Sequence, residues 1–172
     1  KPIHSRKIFQ YYKKNLKILE YGCGIAPYYS LYNKYFKFLN CKWDLIDLEN
    51  HTYSYSKFKY FDNHDINNFH NITSKNLNNP TVYLSKYNLI IIREVFEHLP
   101  NPFTVISNLY NNLENNGILI FDYIISDAEG LDHPNALLER KKCLNFIKDN
   151  FIFIEIKPNF DNSIGLTIVK KK

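Results

Sequence analysis

The sequence predicts an α/β fold: a three-layer sandwich around a mostly parallel, seven-stranded sheet that carries one antiparallel strand in a C-terminal hairpin. Three observations predict it. From Lys17 onward, short apolar runs of strand length alternate with stretches of helical spacing, the pattern of repeated β-α-β units. Tyr87 to Ile92 is apolar without interruption, as a central parallel strand covered on both faces requires. The last two runs, Phe151 to Lys157 and Ile164 to Val169, are joined by the turn-like Pro158 to Ser163, a link too short for a parallel crossover, so they form a hairpin.

Composition narrows the class. At 172 residues the chain suits one domain with one core. With 45% hydrophobic and 23% charged residues it is not a disordered protein. No apolar run reaches the roughly 18 residues of a membrane helix, and the start carries no secretory pattern, so a cytoplasmic protein is expected. Cys23, Cys41 and Cys143 are widely spaced and odd in number, which predicts reduced packing residues, with neither a disulfide framework nor a metal site. Much of the +5 net charge sits in Lys1 to Lys17 and Lys170 to Lys172. Such ends read as solvated tails, and a nucleic-acid partner is not expected. The absence of any Met points to a processed or excised chain, which leaves a preceding segment open.

The elements follow in order. Ile8, Phe9, Tyr11 and Tyr12, set among Arg6, Lys7, Lys13 and Lys14, predict a short amphipathic helix over His4 to Asn15. Lys17 to Tyr21 reads as a buried strand, and Gly22-Cys23-Gly24-Ile25-Ala26-Pro27 as a tight turn opening into a helix. Gly22 and Gly24 let the backbone turn sharply and approach a ligand, and Pro27 suits a first helical turn. Glu20 selects the ligand: a carboxylate at this strand end repels a pyrophosphate and attracts a cofactor that carries an ammonium group.

Tyr28 to Leu39 is the next helix, with Tyr29, Leu31, Tyr32, Tyr35 and Phe36 on its buried side, and Cys41 to Leu48 is the second strand. A right-handed crossover sets this strand beside the first, with both C-terminal ends on one edge. Asp47, with Leu48 beside it, then lies where a ribose hydroxyl pair would be, and Glu49 competes with it for that role. Asn50 to Asn79 is polar and Asn-rich, with a short strand predicted at Phe58 to Phe61. Beyond the strand at Tyr87 to Ile92, helical spacing covers Phe103 to Glu114, and Asn115-Asn116-Gly117 ends it. Ile118 to Ile125 is the fifth strand. A polar loop, Ser126 to His133, holds Asp127, Glu129 and Asp132, and Pro134 opens a helix that runs through Lys148.

The segment Glu20-Tyr21-Gly22-Cys23-Gly24 resembles the acidic-x-Gly-x-Gly loop of the class I S-adenosylmethionine-dependent methyltransferases. Ala26 stands where many members have a third glycine. Glu94-Val95-Phe96-Glu97-His98-Leu99 resembles the Glu-His-Leu segment that follows the fourth strand in many small-molecule members of that family. The resemblance spans Leu16 to Val169. It implies a Rossmann-like sandwich and S-adenosylmethionine as cofactor, held by Glu20, Tyr21, Gly22, Cys23, Gly24, Asp47, Leu48, Arg93 and Glu94. Asp62 to Ile66 resembles the family loop that receives the adenine, with Asp65 accepting its amino group and Ile66 stacking on the ring. The Asn/Asp-Pro-Pro-aromatic run of DNA amino-methyltransferases is absent, which argues against a nucleobase amino group as acceptor.

Methyl transfer to a hydroxyl requires in-line positioning, exclusion of water and a base for the acceptor's proton. His133, in its acidic loop, is the first candidate for that base, and His98 the second, as a pocket-lining residue. The expected activity is S-adenosylmethionine-dependent methyl transfer to a small-molecule acceptor, at oxygen before nitrogen. Its rivals are an RNA or protein methyltransferase, a non-catalytic subunit that needs a partner, and a nicotinamide oxidoreductase, which the Glu20 charge disfavours. Only residues 1–15 precede the first strand, a short or truncated lid. An open site therefore follows, or one covered from elsewhere, by a homodimer mate or a partner chain.

Overall fold

A computed structural model describes residues 7–48, 51–72, 86–123, 133–156 and 164–172. The strands are β1 (Lys17–Tyr21), β2 (Lys42–Leu48), β3 (Ile66–Ile72), β4 (Tyr87–Ile92), β5 (Leu113–Tyr123), β6 (Phe151–Ile156) and β7 (Ile164–Lys171). The helices are α1 (Pro27–Tyr35), α2 (His51–Tyr60), α3 (Pro102–Asn111) and α4 (Pro134–Asn150). The strands form one seven-stranded sheet in the order β3-β2-β1-β4-β5-β7-β6. β1 to β5 run parallel, and β7 lies antiparallel to both β5 and β6. This is the mixed α/β sheet that the sequence predicts.

The two-residue period of a strand divides the core between the faces of the sheet. Leu19 and Tyr21 of β1, with Ile90 and Ile92 of β4, pack with Val105, Ile106 and Leu109 of α3 and with Cys143 and Ile147 of α4. Ile18, Leu89 and Ile91 face the other way, into a cluster with Tyr29 and Tyr32 of α1, Tyr60 of α2, and Ile8 and Tyr12. Both clusters are apolar because both faces are covered, which accounts for the unbroken run in β4.

The helix expected over Tyr28 to Leu39 ends at Tyr35, whose side chain is exposed rather than buried, and three further boundaries differ from expectation. Of the N-terminal helix expected over His4 to Asn15, residues 7–9 form a helical turn and the chain is non-helical from Tyr12 on, while His4 to Arg6 lie outside the described residues. The strand expected at Phe58 to Phe61 is the end of α2, and β3 is the polar run Ile66–Ile72. Phe58 and Phe61 are exposed at 87% and 71%, so their apolarity records no burial. An Asn-rich edge strand forms instead through its ladder with β2, where pairing overrides propensity. Finally, α3 stops at Asn111, and Asn115-Asn116-Gly117 belongs to β5. Tyr87 pairs with Leu113 but Leu89 with Ile118, so the intervening residues bulge, with Asn116 at φ 63.

Trp43 anchors the second cluster. It is fully buried, with ring centroids 5.8, 5.5 and 5.2 Å from those of Tyr12, Tyr29 and Tyr32. Among the described residues its indole Nε1 has no hydrogen-bond partner, so its contribution there is packing. Trp43→Ala is expected to lower the unfolding free energy by about 3–5 kcal/mol, and Trp43→Phe by much less, as read from urea denaturation.

Candidate active site

Strand order reverses between β1 and β4, the place where open α/β sheets bind ligands at strand C-termini. Two adjoining cavities of about 220 and 200 Å³ open there and share Tyr21, Gly22 and Glu94. Glu20, Tyr28, Leu31 and Arg93 also line the first. Asp47, Leu48, Val95, His98 and Leu99 also line the second.

The first cavity is organised by Glu20. Strand alternation turns its side chain to the face of Ile18, where α1 packs. There it is buried, and its two oxygens accept the first-turn N–H groups of Tyr28 at 3.2 Å and Tyr29 at 2.9 Å. Ala26, the residue before α1, has φ 51 and supplies no side-chain cap, so the cap comes from the neighbouring strand. Gly22 and Gly24 have φ +67 and +47. A Cβ at Gly22 would run into the side chain of Val95, so glycine is demanded there by conformation and by space.

Asp47 closes the loop from β2. Its Oδ2 accepts the Gly24 N–H at 2.5 Å and its Oδ1 the Leu48 N–H at 2.6 Å. The Cys23 N–H donates to the Ile46 carbonyl at 2.9 Å and the Ser56 hydroxyl to the Gly24 carbonyl at 2.6 Å. Cys23 itself is buried in the cluster on the α1 side and lines neither cavity.

Beyond β4 the backbone turns through Glu94, whose φ of 56 is unusual for a residue with a Cβ. Asp122, fully buried on β5, holds this turn. Its Oδ1 accepts the Glu94 N–H at 2.6 Å and its Oδ2 the Arg93 Nε–H at 2.5 Å. Sequence reading missed this brace, although a lone Asp inside the apolar run of β5 was its signal. Tyr28, Leu31 and Val95 were likewise missed as lining residues, because only the packing of α1 and of the turn after β4 turns them inward.

Asp65 and Ile66, expected at the adenine, lie at the wrong end of the sheet. They stand at the start of β3, since the strand precedes them in neither sequence nor space once Phe58 to Tyr60 is helical. Asp65 is buried there and accepts the Tyr29 hydroxyl at 2.7 Å, a packing role on α1. His133 lines neither cavity. It caps α4, its Nδ1 accepting the Asn135 N–H at 3.2 Å, while its own N–H donates to the Glu97 carbonyl at 2.7 Å. His98 lines the second cavity, with its side chain exposed. Glu49, and Asp127, Glu129 and Asp132 of the loop before His133, lie outside the described residues, as does the turn Pro158 to Ser163.

Burial, with a smaller contribution from the Asp47 charge, pushes the Glu20 carboxyl up to about 8, against the pull of the Tyr29 and Tyr28 N–H groups. The native state therefore holds this proton more tightly than the unfolded chain, whose carboxyl titrates near the ordinary 4.5. The resulting stabilisation is complete below that value and is lost as pH rises toward about 8. The melting temperature of the ligand-free protein should fall from about pH 5 to about pH 8, and Glu20→Gln should flatten that slope in thermal scans across the range.

The methyltransferase domain family model matches residues 4–150. No curated protein matches the chain. Among solved structures, the N-methyltransferase NodS from Bradyrhizobium japonicum is similar at a TM-score of 0.65 and 13% identity, over 98% of this chain and 92% of that one. A SAM dependent methyltransferase from Aquifex aeolicus is similar at 0.66 and 14%, over 98% and 89%. An rRNA methylase from Streptococcus thermophilus is similar at 0.63 and 16%, over 99% and 96%. At these identities the structures show a shared fold, and the family model reaches from the helical turn before β1 to the end of α4. The chain belongs to the methyltransferase domain family and is an S-adenosylmethionine-dependent methyltransferase.

Proposed function

We propose that the whole chain works as one methyltransferase domain that methylates a small-molecule acceptor at a hydroxyl oxygen. The observation that carries the cofactor site is the pair of carboxylates, Glu20 and Asp47, on adjoining cavities that share Tyr21 and Gly22. These residues fit S-adenosylmethionine. Glu20 suits its ammonium group, Asp47 its ribose hydroxyls, and Gly22 and Gly24 let the backbone come close. When bound, the cofactor supplies an electrophilic methyl group on a sulfonium.

The chain's own residues then have three tasks. Glu20, Asp47 and the glycine loop bind and orient. Val95 and Leu99 line the second cavity with apolar surface that excludes water. His98, rather than His133, takes the acceptor's proton, because it lines a cavity and His133 lines neither. Two features support a small acceptor over RNA: the cavities are compact, and the segment after β4 resembles that of small-molecule enzymes.

Asp47→Ala is expected to weaken S-adenosylhomocysteine binding by about 1–3 kcal/mol in calorimetric titration, through lost charge-assisted hydrogen bonds. His98→Ala should lower turnover by about 10²–10⁴-fold while leaving that affinity nearly intact. The deciding experiment is a methyl-transfer screen with labelled S-adenosylmethionine over phenols, alcohols, amines and RNA. Product on a hydroxyl compound supports the reading, and product on RNA alone overturns it.

A further inference from the structure

We propose that Arg93, oriented by Asp122, recognises the carboxylate at the amino-acid end of the cofactor, so that the first cavity reads a zwitterion. The proposal rests on the cofactor site described above and names the cofactor group that Arg93, already expected in that site, meets there. Three observations carry it.

The first is composition. Among the described residues that line the two cavities, Arg93 is the sole Lys or Arg, against Glu20, Glu94 and Asp47. A cavity with the acidic residues alone would attract an ammonium group and repel the carboxylate joined to it. The second is register. Glu20 pairs with Ile91, and Tyr21 with Ile92, so Arg93 emerges beside Gly22, one strand spacing from the end of β1. Both side chains line the first cavity, so an acidic group from β1 and a basic group from the end of β4 meet the same space.

The third is geometry. The Arg93 side chain is only 12% exposed, and its Nε–H is committed to Asp122, itself fully buried. Its Nη1 lies 3.5 Å from the Tyr28 hydroxyl, at the limit of a hydrogen bond. With the guanidinium anchored at Nε, its Nη donors form a planar fork suited to a carboxylate. Asp122 thus acts as a positioning residue. Arg93 serves as the second pole of the site.

The test is calorimetric titration of the wild type and Arg93→Gln with S-adenosylhomocysteine and with its decarboxylated analogue, S-adenosyl-3-thiopropylamine, which keeps the ammonium group. Wild type should prefer the carboxylate-bearing ligand by about tenfold or more, the worth of a charged hydrogen bond. Arg93→Gln should erase that preference by weakening S-adenosylhomocysteine alone. Because Arg93→Gln strands a buried Asp122, the double variant Arg93→Gln/Asp122→Asn, which leaves no uncompensated buried charge, carries the same expectation. A wild type without the preference, or variants that lose both ligands in equal measure, would overturn the assignment while the cofactor site stood. A wild type that binds neither ligand would overturn the cofactor site itself, and this assignment with it.

Discussion

The hydrogen bonds from the first turn of α1 to the Glu20 carboxylate are the contact on which the rest of the site depends. They tie a strand end to a helix start across a glycine turn, and once the carboxyl ionises they place a negative group at the positive end of the helix. The helix N-terminus lacks a side-chain cap of its own. Without Glu20 its N–H groups would be buried without partners, at a cost of about 1–3 kcal/mol each. Burial makes the arrangement conditional, because an ionised carboxylate with little solvent favours a cation beside it. A group held for structural reasons is therefore also disposed toward a positively charged ligand.

The same device recurs at two more strand ends. Asp47 near the end of β2 accepts the backbone of Gly24 and Leu48, and Asp122 of β5 accepts the backbone of Glu94. Each carboxylate reaches across to a loop that belongs to another strand or to the turn beside it. Loops on the C-terminal edge are thus braced by charge-assisted bonds, while the sheet beneath supplies rigid anchor points. Such bracing preorganises a binding surface, since little ordering is left to be done when a ligand arrives. It also explains how Glu94 keeps a left-handed backbone: Asp122 and the end of β4 over-determine that turn.

The opposite end of the sheet shows what the same residue types do without a ligand. Asp65 is buried, as Glu20 is, yet it receives a tyrosine hydroxyl from α1. On the site's own edge, beside Glu97, His133 looks like a catalytic residue by type and sits at a helix start by position. Residue chemistry alone does not separate these roles, because location in the sheet decides which side chains converge.

By itself, outside Asn50 to Ile72, the sequence determined the order of strands and helices, the parallel core and the C-terminal hairpin, because apolar periodicity and link length report burial and crossover directly. It also determined the glycine turn with Glu20 before it and Asp47 at the end of the second strand, since conformation and charge demand those residue types at that spacing. Phe58 to Phe61 misled it because aromatic residues can be apolar and exposed, and that error carried Asp65 and Ile66 to the wrong edge. Only the tertiary structure decided that β3 is an Asn-rich run held by its pairing with β2. It alone brought Asp122 to Arg93 and Glu94, and turned Tyr28 and Val95 toward the cavities. These are long-range contacts between elements, and no local pattern along the chain encodes which strand end a side chain will meet.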